Sequence, residues 1–157
     1  MNTSNIKKYA PQARNDFIAA MRKQAAKYGI TADSILPAEQ KGDLLLIGDQ
    51  VFPLSVMKSR EKLIKRIQTS SFEQTIDYIA YSWFNRLCAI RYMECKGLLD
   101  HGRRVLSSAD GSAGLPQLLE ECLDIDLPGL DASRVAELKL NGNKDEELYR
   151  ELLLAQC

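Results

Sequence analysis

Apolar residues recur at three- and four-residue steps through Ile6, Tyr9, Ala10, Ala13, Phe17, Ala20, Met21 and Ala25, the spacing of one helical face. The spacing predicts a helix from Thr3 or Ser4 to Tyr28, stopped by Gly29. Pro11 falls inside it, so either the helix proper begins there or it kinks there. From Ile30 the pattern breaks, and Pro37, Gly42, Gly48 and Pro53 punctuate the chain. Leu44 to Ile47, a Gly48-Asp49 turn, and Gln50 to Phe52 then read as a small β-hairpin. Two strands alone are marginal, so this hairpin must lie on helices.

Ser55 to about Ser70 reads as a charged helix with Val56, Leu63, Ile64 and Ile67 on its inner side. Ser70 or Ser71 caps the strongest helix, Phe72 to Lys96, closed by Gly97. Its apolar set is Phe72, Ile76, Ile79, Ala80, Trp83, Phe84, Leu87, Cys88, Ile90, Tyr92, Met93 and Cys95. So broad an apolar surface places this helix at the centre. Arg104 to Ser108 reads as a short extended piece, and Leu115 to Leu123 as a short helix with Pro116 in its first turn. Ser133 to Leu140 reads as another helix. The last one starts at Asn143, with Glu146 completing a capping-box pattern. That helix carries Leu148, Tyr149, Leu152, Leu153 and Leu154 and has no stop signal before Cys157. Truncation of a longer protein is therefore expected, with this apolar face open to a partner. The fold class is mainly α: one multi-helix domain over 1–157, built around Phe72 to Lys96, with a hairpin near Leu44 to Phe52.

Charge changes the picture by its placement. The chain has 21 Lys and Arg against 21 Asp and Glu. Met1 to Arg104 holds 17 basic and 10 acidic residues, and Val105 to Cys157 holds 4 and 11. That asymmetry favours a basic binding face on the first part. Lys58, Lys62, Lys65 and Arg66 lie at helical steps and can line one stripe facing a phosphate backbone. Taken alone, the same run reads more readily as a solvated face, with Glu61 and Lys65 as an i,i+4 pair. Arg86 and Arg91, set in an apolar helix, call for carboxylate partners such as Asp77 or Glu94.

Catalytic motifs are missing. No two glycines flank a single residue, so a dinucleotide or S-adenosylmethionine turn is excluded, as is a phosphate loop ending in Gly-Lys-Ser/Thr. Gly111-Ser112-Ala113-Gly114 could present amides to an anion, but reads better as a surface loop. Cys88, Cys95, Cys122 and Cys157 form no close pair, and reduced, buried thiols are expected at Cys88 and Cys95 rather than a metal site. Asp124 to Gly129 resembles the start of a calcium loop, but Val135 stands where the twelfth-position Glu is required. The lone histidine, His101, is expected to be solvated or locally bonded. No signal peptide is visible, and Leu44 to Ile47 is far short of a membrane span. A cytoplasmic protein is expected.

Tyr78-Ile79-Ala80-Tyr81-Ser82-Trp83-Phe84-Asn85-Arg86-Leu87, followed by Arg91-Tyr92-Met93-Glu94, resembles the AYTWFNR…ALRYME signature near the start of the PglX/BrxX family. Met1-Asn2-Thr3-Ser4 with Lys7-Lys8-Tyr9-Ala10, Arg104 to Ser108, and Glu147-Leu148-Tyr149-Arg150 with Leu152 to Cys157 agree, so the resemblance spans the chain. These are the adenine-specific DNA methyltransferases of BREX phage-defence systems. The resemblance implies an N-terminal, non-catalytic domain of a longer enzyme that methylates adenine in host DNA with S-adenosylmethionine. The catalytic Asn-Pro-Pro-Tyr-like motif has no counterpart here, since no two of the five prolines are adjacent. No catalytic, cofactor or metal residue can be carried over. The expected partners are DNA, the rest of the enzyme and other BREX proteins. The candidate DNA contacts are Lys58, Lys62, Lys65, Arg66, Arg103 and Arg104. The alternative is a protein–protein scaffold without DNA contact.

Overall fold

A computed structural model describes residues 4–156. Thr3 as a helix start, the Ile6 side chain and Cys157 lie outside the described residues. The chain divides into two compact units, Met1–Phe84 and Asn85–Cys157.

In the first unit, α1 spans Ser4–Lys27 and runs through Pro11. Pro11 and Lys7 are exposed, so water can take up the carbonyl that a proline leaves without its N–H partner. Ala13 and Ala25 are buried and Phe17 and Met21 half-buried, whereas Tyr9, Ala10 and Ala20 face solvent. Gly29 ends the helix at φ 68°, and the N–H of Ile30 returns to the Ala25 carbonyl at 3.0 Å.

The expected hairpin is present as β2 (Leu44–Ile47) and β3 (Gln50–Pro53). A further strand, β1 (Ala38–Lys41), joins β2 to make a three-stranded antiparallel sheet in the order β1-β2-β3. All four β1 residues are exposed, which leaves no apolar alternation to read. Leu45 lies opposite Phe52, and these two with Ile47 bury one sheet face against Tyr28, Val56 and Met57. The next helix, α2 (Val56–Thr69), sends Leu63, Ile64 and Ile67 to a second cluster of Ala25, Ile30, Phe72 and Ile76.

The longest helix, α3 (Phe72–Lys96), belongs to both units by sequence. The Ser71 hydroxyl accepts from the Gln74 N–H at 3.1 Å, and Gly97 closes the helix at φ 65°. Phe72, Ile76 and Ala80 are core residues of the first unit and Ile90 of the second. The apolar surface is narrower than its composition suggests: Cys88, Cys95 and Tyr92 are exposed.

The second unit continues with α4 (Gln117–Glu120), a 3₁₀ turn at Cys122–Asp124, α5 (Ala132–Leu140) and α6 (Asp145–Leu154). The helix expected over Leu115 to Leu123 is thus split, with Pro116 just ahead of it. Arg104 to Ser108 forms no strand, because the N–H groups of Val105 and Leu106 donate to Glu94 instead of a neighbouring strand. Asp131 caps α5 by accepting from the N–H groups of Ser133 and Arg134. The Asn143 capping box does not form. Gly142 at φ 63° turns the chain, the Asn143 N–H donates to Asn141, and α6 starts after Lys144.

The expected open face of α6 is closed. Leu148 and Leu152 are fully buried among Leu118, Val135 and Leu138, and only Leu154 keeps substantial exposure. No helix among the described residues is long and apolar enough to cross a membrane.

Candidate nucleic-acid interface

A helix that packs one side leaves the other to solvent, and α2 separates its basic residues this way. Lys58, Lys62, Lys65 and Arg66 are exposed. Their helical angles fall within about a 100° arc at 3.6 residues per turn, so they share one stripe. Glu61 and Lys65 do not form the i,i+4 pair, and none of the three lysines is ion-paired to a described carboxylate. Thr69 continues the stripe, its hydroxyl turned inward onto the Lys65 carbonyl at 2.5 Å.

Arg60 points the opposite way. It is 7% exposed and donates through Nε to the Tyr28 carbonyl at 2.9 Å and through Nη2 to the Leu36 carbonyl. Burial pulls its guanidinium below the usual arginine range. Its place is structural: it ties the end of α1 to the segment leading into the sheet.

Arg66 has an aromatic partner. Its guanidinium carbon lies 3.9 Å from the centre of the Tyr78 ring, a cation–π contact between α2 and α3 inside the first unit. Tyr78, Tyr81 and Tyr92 are all more than half exposed, so three of the aromatics in the signature segment are surface groups. Trp83 and Phe84 are half-buried, and the Phe84 ring meets Phe17 edge-on at 5.6 Å. The signal for Tyr78 was its placement beside polar Asp77, off the Ile76–Ala80 face.

Arg103 and Arg104 sit in the second unit and are engaged by carboxylates. Arg103 bonds Glu121 at 3.0 Å and the His101 carbonyl at 3.0 Å. Arg104 lies 4.0 Å from Glu94.

Arg91 finds the carboxylate it required. Its Nη1 donates to Glu94 Oε1, and the same oxygen accepts from Ser107 Oγ at 2.6 Å. Glu94 Oε2 accepts from the N–H groups of Val105 at 2.8 Å and Leu106 at 2.7 Å. Burial alone would raise this carboxyl. Hydrogen bonds from Ser107, Leu106 and Arg91, with the Arg91 charge, carry it below its ordinary value instead. Asp77, the other carboxylate expected here, pairs with Arg14 at 3.4 Å.

The remaining candidates are locally committed. His101 Nδ1 accepts the Arg103 N–H at 3.1 Å, which leaves Nε2–H to donate to Gln156 at 2.9 Å. Cys88 and Cys95 are free and exposed rather than buried, because they fall on the solvent side of α3; Cys122 is the buried thiol, its pKa raised by desolvation. Among the described residues no three His, Cys, Asp or Glu side chains converge on a metal position.

Nor do the residues present fit S-adenosylmethionine. At the Gly111–Gly114 loop the Ser112 N–H and the Ser108 hydroxyl both donate to Asp110, whose carboxyl is lowered to about 2 by these bonds. A cavity of about 200 Å³ beside Phe17, Ala80, Tyr81 and Phe84 is smaller than the usual cofactor site and lies on two helices.

No family model matches the chain. Curated relatives do. Over its whole length the chain is 49% identical to the adenine-specific methyltransferase BrxX of Escherichia coli O9:H4 (strain HS), and it spans 14% of that protein. Over 80% of its length it is 29% identical to the adenine-specific methyltransferase PglX of Lacticaseibacillus casei (strain Zhang), spanning 11% of it. The resemblance read from the signature segment is therefore borne out: this chain is similar over its whole length to one limited stretch of the BrxX adenine-specific methyltransferase, and over 80% of its length to one of PglX.

Proposed function

We propose that this chain is a non-catalytic N-terminal domain of a BREX-type adenine-specific DNA methyltransferase, and that it helps the enzyme hold DNA. The whole enzyme would transfer a methyl group from S-adenosylmethionine to adenine in cytoplasmic host DNA, with the cofactor held outside these residues. The observation that carries the DNA role is the α2 stripe: three exposed lysines that no described carboxylate pairs, and an aromatic-backed arginine, on one helical face. A protein with no net charge can attract a polyanion only through such local concentration.

Fluorescence anisotropy with a labelled duplex at low salt tests the reading. Changing Lys58, Lys62, Lys65 and Arg66 together to Glu should abolish binding, because a phosphate-contacting face loses affinity and gains repulsion. Unchanged affinity would overturn it. Arg103 and Arg104, held by carboxylates, should contribute little.

A second reading is a scaffold that packs on the rest of its enzyme or on other BREX proteins. It draws on the apolar cleft at Phe17, Ala80, Tyr81 and Phe84. Pull-down with the chain, wild type against the exposed cleft variant Tyr81→Arg, separates it: capture lost in the variant supports this reading, and capture of nothing by either removes it.

A further inference from the structure

The α2 stripe has a composition that constrains what it reads. Direct recognition of bases uses Asn or Gln on adenine and a two-pronged contact from Arg or Lys on guanine. The stripe carries Lys58, Lys62, Lys65, Arg66 and Thr69, with no Asn or Gln. Lysine is a compact point charge on a flexible stem, a less directional partner than the arginine fork, and it suits phosphate oxygens. Thr69, the remaining polar group, is turned onto the Lys65 carbonyl. From Lys58 to Arg66 the stripe rises about 12 Å at 1.5 Å per residue. One DNA strand presents roughly three or four phosphates over that axial distance.

Arg66 is the one member able to fork two acceptors, and it is not loose. Its guanidinium is stacked on Tyr78 at 3.9 Å, with Tyr78 more than half exposed. A contact of this kind uses the face of a guanidinium and does not consume its N–H groups. A bidentate pair with a phosphate then forms without first ordering a long side chain.

We propose that α2 grips the phosphodiester backbone of duplex DNA without reading its sequence, and that Tyr78 is the positioning residue that holds Arg66 for this contact. The inference rests on the reading of α2 as a DNA face and adds two things to it, indifference to sequence and a role for Tyr78. Tyr78 opens the segment that resembles the methyltransferase signature, and the proposal gives that position a task other than core packing.

The test is anisotropy with the 157-residue chain on two duplexes of unrelated sequence, over about 50 to 200 mM salt. Wild type should bind both equally. Lys62→Gln and Lys65→Gln should each weaken both equally and flatten the slope of log affinity against log salt by about 0.9. Tyr78→Leu should weaken binding about two- to fivefold, the worth of an exposed cation–π contact, and Tyr78→Phe should restore it. In an Arg66→Gln background Tyr78→Leu should add nothing further, which a general loss of structure would not reproduce.

If the lysine variants bind like wild type, the DNA-face reading itself falls. If they weaken binding but the chain prefers one duplex, or Tyr78→Leu is silent or additive with Arg66→Gln, only this inference falls.

Discussion

Glu94 has no exposed side-chain surface, yet it stays a carboxylate, because four donors converge on it: two backbone N–H groups, Ser107 and Arg91. The Val105–Ser107 segment has no strand partner, so Glu94 is what satisfies the N–H groups of Val105 and Leu106. Glu94→Gln puts an amide donor where the site offers only donors. The loss of charge-assisted bonds should cost about 3 kcal/mol, read as a lower denaturation midpoint at neutral pH. Because the folded-state pKa is depressed, this stabilisation is present above the ordinary glutamate range and is lost as pH falls through the folded value. Wild type should therefore lose stability on acidification more steeply than Glu94→Gln; parallel curves would show that Glu94 is not the linked group. The Arg91 partner was readable as a need for an internal carboxylate such as Asp77 or Glu94. The backbone clients of Glu94 were not, since nothing local says which loop a buried acid will serve.

Elements with punctuation at both ends were legible, and elements defined by what they touch were not. The hairpin, α2 and α3 carry turn glycines, a serine cap or strong periodicity, and they stand where the pattern put them. The fully exposed β1 carries no apolar signal, and the Asn143 cap lost to the turn at Gly142. Gly29 shows what the periodicity could only half say. It reads as a helix stop, but the stop also lets the sheet approach. A Cβ on Gly29 would sit 2.6 Å from Ile47 Cγ2, and the residue holds φ +68°. Gly29→Ala therefore combines left-handed backbone strain of about 1–2 kcal/mol with overpacking of about 1–3 kcal/mol. Gly42, with the same hand of backbone and open space, should lose only the first part on change to Ala. Thermal melts of the two variants test this: equal losses would mean that contact with Ile47 is not limiting.

At the scale of the molecule, net neutrality conceals a division. Met1–Phe84 holds 12 Lys and Arg against 8 Asp and Glu, and Asn85–Cys157 holds 9 against 13. Periodicity could not find that boundary, because it falls inside one uninterrupted helix. The cores respect it, however. Leu118, Val135, Leu138, Leu148 and Leu152 cluster with Ile90 and Val105, all beyond Phe84, while Ala25, Ile30, Phe72 and Ile76, and separately Leu45, Ile47 and Phe52, lie before Asn85. A cavity is felt by the side chains that line it, so damage to one cluster should first loosen the elements that share it. Leu152→Ala removes a side chain with no exposed surface and should cost about 2–5 kcal/mol. Native-state hydrogen exchange should then quicken in α4, α5 and α6, with the β2 and β3 amides unchanged. Uniform acceleration in both units would mean that they open as one, and that the continuity of α3 outweighs the separation of their cores.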